Sequence, residues 1–155
     1  MFLPWSGFCY KPAQKRSMAK HGVILYIDDD TDDQEVVAQV FKELGVPNKL
    51  VGFRNGEDAV DYLKTEEPPF LILCDYKLPK MDGITLRRHI EADEELQAKA
   101  IPFVFVSTTV SKTMMKEVYR MNVQGLFEKG DRFEDIKAVL NKIYEYWKVC
   151  KHPNN

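Results

Sequence analysis

Five short apolar runs, separated by longer amphipathic stretches, constrain this chain more than any other feature of its sequence. The runs cover residues 23–27, 50–53, 70–74, 103–106 and 126–127. Three of them are continuous β-branched or aromatic runs of about five residues. A strand with one wet face alternates apolar and polar residues. A continuous apolar run suits a strand buried on both faces, as in a parallel sheet covered by helices. The stretches between carry a helical period instead. Val36, Val37, Val40, Phe41 and Leu44 fall on one helix face, and Gly45 follows as a stop. Ala59, Val60 and Leu63 mark a second helix beginning near Gly56, and Ile84, Leu86 and Ile90 a third after Asp82-Gly83. Ser111 suits the N-cap of a fourth helix, which carries Met114, Met115, Val118 and Tyr119. Asp131 with Glu134 reads as a capping box for a fifth, with Phe133, Ile136, Leu140, Ile143 and Trp147 facing inward. Five strands alternating with five helices predict an α/β doubly wound parallel sheet with helices on both faces.

In such a fold the chemistry lies beyond the C-terminal ends of the strands. Four of the five predicted strands end there in polar groups: Asp28-Asp29-Asp30, Cys74-Asp75, Ser107-Thr108-Thr109 and Glu128-Lys129. Each has a bland explanation. Acids at a helix start complement the dipole, which is the role expected of Asp32, Asp33 and Glu35. A hydroxyl after a strand is often an N-cap, and a lysine there is usually solvated. Their joint occurrence is more specific. Clustered carboxylates repel unless a cation sits among them, and oxygen ligands without Cys or His favour a hard ion, Mg²⁺ before Mn²⁺ or Ca²⁺. A lysine beside such a site suggests a ligand with further negative charge, such as phosphoryl.

Composition closes off other classes. The net charge of −2 over 155 residues gives no global attraction to nucleic acid or to an anionic membrane. That total is uneven: residues 1–20 hold Lys11, Lys15, Arg16 and Lys20 and no acid, which leaves 18 basic against 24 acidic residues, or −6, over 21–155. No apolar run approaches the ~20 residues of a membrane span. Cys9, Cys74 and Cys150 show no metal or disulfide spacing, and a reducing cytoplasmic setting is expected. Residues 1–17 lack either structural period and, with Pro4, Gly7 and Pro12 interrupting them, do not read as a signal peptide. The expected organisation is a tail over 1–20, disordered or non-native, one domain over 21–149, and a short tail over 150–155.

The sequence resembles the receiver domain of two-component response regulators, of the stand-alone type. The resemblance rests on Ile24-Leu25-Tyr26-Ile27-Asp28-Asp29-Asp30, on 71–83 with its core Asp75-Tyr76-Lys77-Leu78-Pro79-Lys80-Met81-Asp82-Gly83, on Val104-Phe105-Val106-Ser107-Thr108, and on Phe127-Glu128-Lys129. It covers about residues 22–148. It implies strand order 2-1-3-4-5 and a signalling phosphoacceptor, not an enzyme, with at most weak self-dephosphorylation. By its implication Asp75 is the phosphoacceptor, and Ser107 and Lys129 bond the phosphoryl group. Asp28, Asp29, Asp75 and the backbone carbonyl of Lys77 are implied to hold Mg²⁺. The implied donor is a histidine kinase or histidine phosphotransfer protein. The output goes to a downstream protein, or to a homodimer, through the fourth helix, fifth strand and fifth helix. Met114, Met115 and Met121 on that stretch suit an adaptable partner surface, with core filling the first expectation for Met114 or Met115.

Departures from the family pattern are specific. Gly130 stands where the family usually has proline, which predicts a trans Lys129–Gly130 bond or a remodelled loop. Leu126 stands at the switch aromatic's position, and Phe127 should face the other way. Lys77 and Thr109 provide no strong water-orienting acid, so slow self-hydrolysis is expected. Gly130 and Leu126 keep a second reading open, a receiver-like interaction module that is not phosphorylated. A Mg²⁺-dependent phosphatase is disfavoured because Lys77 occupies the position of its second acid. A flavin site is disfavoured because no phosphate-binding loop follows the first strand.

Overall fold

The computed structural model describes residues 19–153. The expectations for residues 1–17 therefore lie outside the described residues. A 3-10 turn, Ala19–His21, leads into β1 (Ile24–Ile27), α1 (Thr31–Glu43), β2 (Leu50–Phe53), α2 (Gly56–Thr65) and β3 (Leu71–Cys74). Then follow α3 (Gly83–Ala92), α4 (Glu94–Ala98), β4 (Phe103–Ser107), α5 (Lys112–Tyr119), β5 (Gly125–Glu128) and α6 (Phe133–Val149). The five strands pair in parallel in the order β2-β1-β3-β4-β5. This is the expected doubly wound sheet, with β3 at its centre between β1 and β4 and with β2 and β5 at its edges.

The continuous apolar runs are explained by two separate cores. Alternate residues of each strand point to opposite faces. Leu25, Ile27, Ile72, Cys74, Phe103 and Phe105 pack under α2, α3, α4 and α5. Ile24, Tyr26, Leu71, Leu73, Val104 and Val106 pack under α1 and α6. Every residue of β1, β3 and β4 is buried. Burying one such side chain contributes about 1.5–3 kcal/mol, so the central strands anchor the fold from both sides. The edge strands β2 and β5 are only partly buried. Leu126 packs with the first core and Phe127 with the second, on opposite faces as anticipated.

Helix starts follow short polar side chains. Asp30, Asn55, Asp82 and Ser111 cap α1, α2, α3 and α5, each accepting backbone N–H bonds of the first turn. Two expectations are corrected. Six α-helices are present among the described residues, because Asp93 ends α3 and at once caps the five-residue α4 through the N–H groups of Glu95 and Leu96. The fourth and fifth helices of the sequence reading are thus α5 and α6. The capping box of Asp131 with Glu134 does not form either. The N-cap of α6 is Arg132, which makes no side-chain cap. Asp131 lies one residue too early, after the left-handed turn at Gly130 (φ 75°), and Arg132 pairs with Asp135 at 2.9 Å. Of the methionines on α5, Met114 is core and Met115 is 39% exposed.

Candidate phosphoryl and cation site

The site grows out of the last rungs of the sheet. The N–H of Asp28 donates to the Phe53 carbonyl at 3.0 Å, and the N–H of Asp75 to the Ile27 carbonyl at 2.8 Å. The N–H of Lys129 donates to the Ser107 carbonyl at 3.0 Å. Asp28, Asp75 and Lys129 therefore each sit one step past a strand on a continued parallel ladder, while Ser107 is the last residue of β4. The Gln34 side chain ties the neighbouring ends together, donating to the carbonyls of Asp28 at 2.9 Å and Phe53 at 3.0 Å. The loop after Asp75 folds back tightly. Gly83 donates to the Tyr76 carbonyl at 2.9 Å, and a Cβ on Gly83 would lie 2.6 Å from the Asp75 carbonyl oxygen and from the Phe105 ring.

This geometry brings Asp28, Asp29 and Asp75 together, with one carboxylate oxygen from each within 4.8 Å of the others. Asp28 is fully buried, Asp75 half-buried and Asp29 exposed. One Asp28 oxygen accepts the Asp30 N–H at 3.0 Å; the other accepts the Tyr26 hydroxyl at 2.6 Å and Lys129 at 3.1 Å. A carboxylate offers about four lone-pair directions, so Asp28 keeps one for a cation or its water. Burial, then the charge of Asp28, pushes the Asp75 carboxyl up to about 6, against the pull of Lys129, the Lys77 N–H and the Ser107 hydroxyl. Two carboxylates that repel this way, with a third beside them, suit a hard divalent cation. The Lys77 N–H reaches Asp75 at 3.5 Å. Ser107 is buried, and its hydroxyl donates to the Thr109 carbonyl at 3.3 Å.

Lys129 is 2% exposed. Its ammonium pairs with Asp33 at 2.6 Å and Asp28 at 3.1 Å, and lies 3.2 Å from the Tyr26 hydroxyl. No ion pair within 4.0 Å joins it to Asp75. Burial alone would lower this ammonium's pKa; the hydrogen bonds and charges of Asp33 and Asp28 outweigh it and leave the group raised. The Lys129–Gly130 bond is trans, and Gly130 supplies a left-handed turn where proline cannot.

Three residues here escaped the sequence reading. Tyr26 was legible in principle, since it stands two residues before Asp28 on the same strand face. Asp33 was expected only to complement the α1 dipole; it lies in the first turn of α1, and its carboxylate also turns onto Lys129. Tyr76 donates to Glu117 on α5 at 2.5 Å, which holds the phenol up at about 12, and its ring tilts against Phe105. No local pattern signals a bond across 41 residues.

The description of the response regulator receiver domain matches residues 24–141. The chain belongs to the response regulator receiver domain family. Receiver domains are signalling modules. Among the relatives of this receiver is the probable methanogenesis regulatory protein FilR2 of Methanothrix harundinacea, 32% identical over 130 residues, or 81% of this chain and 83% of that protein. Among solved structures, the receiver is similar to the phosphorylated cyanobacterial phytochrome response regulator RcpA, with TM-score 0.77 and 26% identity over 86% of this chain and 99% of that one. It is also similar to the Mn²⁺-bound form of response regulator Rcp1, with TM-score 0.73 and 26% identity over 84% and 97% of the two chains. Rcp1 of Synechocystis is 28% identical over 131 residues, covering 81% of this chain and 88% of Rcp1. No helix among the described residues of this receiver is long and apolar enough to cross a membrane.

Proposed function

We propose that this receiver takes a phosphoryl group from a phosphohistidine onto Asp75 and so switches a partner-binding face. One observation carries the reading: Asp28, Asp29 and Asp75 converge within 4.8 Å at the strand ends that also present Ser107 and Lys129. Asp28, Asp29, Asp75 and the Lys77 carbonyl would hold Mg²⁺, which supplies charge neutralisation to the transferring group. A carboxylate oxygen of Asp75 attacks phosphorus in line. The P–O bond forms as the P–N bond breaks, and the electron pair leaves with the donor's imidazole. Ser107 and Lys129 then bond the phosphoryl oxygens. Titrating near 6, Asp75 is mostly ionised at neutral pH, as a nucleophile must be.

The donor in this reading is a cytoplasmic histidine kinase or histidine phosphotransfer protein. The output leaves through α5, β5 and α6, where Tyr119 and Met115 are exposed. With Lys77 exposed and no acid at Thr109, self-dephosphorylation is slow. Incubation with acetyl phosphate and Mg²⁺ should add one phosphoryl to the wild type by intact mass and none to Asp75→Ala. No Asp75-dependent gain would leave the unphosphorylated interaction module, to which Gly130 and Leu126 point.

A further inference from the structure

An ammonium has three N–H donors. Lys129 has three oxygens to receive them: Asp33 at 2.6 Å, Asp28 at 3.1 Å and the Tyr26 hydroxyl at 3.2 Å. With all three in place, Lys129 has no donor left for a group on Asp75. To reach a phosphoryl oxygen there, it must release one of its partners. The three are not equal candidates. Tyr26 and Asp28 are fully buried and belong to β1 and its continuation, and Tyr26 donates its own proton to Asp28 at 2.6 Å. Losing the ammonium would strand a carboxylate away from water, which is costly. Asp33 stands on the first turn of α1, and its side chain is 29% exposed. Water can take the place of Lys129 on that carboxylate, so Asp33 is the partner that can be given up.

We propose that Asp33 is a positioning residue. It holds Lys129 on the Asp28 side of the pocket at rest and competes with the phosphoryl group on Asp75 for its ammonium. This rests on the reading that Asp75 accepts phosphoryl. Its effect is on how tightly the phosphoryl state is held. The Asp33 carboxylate is the shortest of the three contacts and carries a full charge, whereas a neutral amide in its place would hold the ammonium only weakly.

The test is titration of the full chain with beryllofluoride in saturating Mg²⁺, read by fluorine NMR. Asp33→Asn should lower the Kd about fivefold, the scale of one part-exposed ion pair. Asp33→Glu, which restores the charge, should bring it back toward the wild-type value. A purely structural role would weaken binding in both variants. The nitrogen–proton signal of the Lys129 ammonium gives a second readout. It should be visible and slow to exchange with water in the wild type and broadened in Asp33→Asn. Wild-type binding with an unchanged or raised Kd in Asp33→Asn overturns the role of Asp33 alone. A wild type that binds no beryllofluoride overturns the phosphoryl reading, and this inference falls with it.

Discussion

At the scale of single residues, Asp75 shows how the fold works against the charge of a carboxylate that it half-buries. Folding moves this carboxyl from water to a half-buried place beside Asp28, and it then titrates near about 6. In the unfolded chain an aspartate titrates near ~3.9. Between those values the folded protein keeps a proton that the unfolded chain has lost. The group's contribution to stability is therefore fully present below about pH 4 and is lost as pH rises through about 6. Removing the charge removes the loss. In cation-free buffer near pH 7.5, Asp75→Asn should melt at a higher temperature than the wild type, with the gap closing toward pH 4. A gap that does not change with pH would assign the effect to packing. Added Mg²⁺ should raise the wild type and leave Asp75→Asn nearly unmoved.

At the scale of elements, what was legible in the sequence was whatever a short window can hold. The buried strands announced themselves as continuous apolar runs, Asp28 and Asp75 as polar residues directly after them, and Lys129 as part of the Glu128-Lys129 pair that ends the shorter fifth run. The short helix α4 did not, because five residues give no period to detect; only the sequence Asp93-Glu94-Glu95 hinted at a cap and an acidic first turn. The start of α6 was misplaced because the turn at Gly130 decides it, and a left-handed residue is not visible as a cap. Asp33 on Lys129 and Tyr76 on Glu117 join residues 96 and 41 positions apart, so they exist only once the sheet has assembled. The loop between β3 and α3 offers a test of how such constraints compete. Gly83→Ala gains helix propensity worth at most about 1 kcal/mol. The new Cβ would meet a backbone carbonyl and a packed ring at 2.6 Å, neither of which is a flexible chain end. Overpacking of that kind costs about 1–3 kcal/mol, so urea unfolding should show a net loss. A stabilised Gly83→Ala would mean that the loop can yield without cost.

At the scale of the whole molecule, the chain is fastened at the pole opposite the site. After α6 it turns back, and His152 lies 5% exposed with its ring stacked 6.0 Å from that of Phe70. Its Nε2 lies 3.1 Å from the Phe70 carbonyl. A carbonyl only accepts, so that nitrogen carries the proton of a neutral ring; burial holds the imidazole's pKa below its usual value. As pH falls through ~6.5 the unfolded chain takes up a proton that the folded one resists, and this contribution is lost on the acid side. Near pH 7.5, His152→Ala should cost about 1–2 kcal/mol in urea unfolding, and less below about pH 6. Its Mg²⁺ affinity should match the wild type, since β3 separates the two poles. A changed affinity would mean that the poles communicate. The continued ladder at the other pole has a consequence for how the site can fail. A site borne on a free loop can melt while the body stands. Here Asp28 and Asp75 hang from the ends of the central strands β1 and β3, and Lys129 from the rung that joins the edge strand β5 to β4. The two carboxylates open only with the central strands, so that half of the pocket and the cooperative unit of the fold come apart in one event.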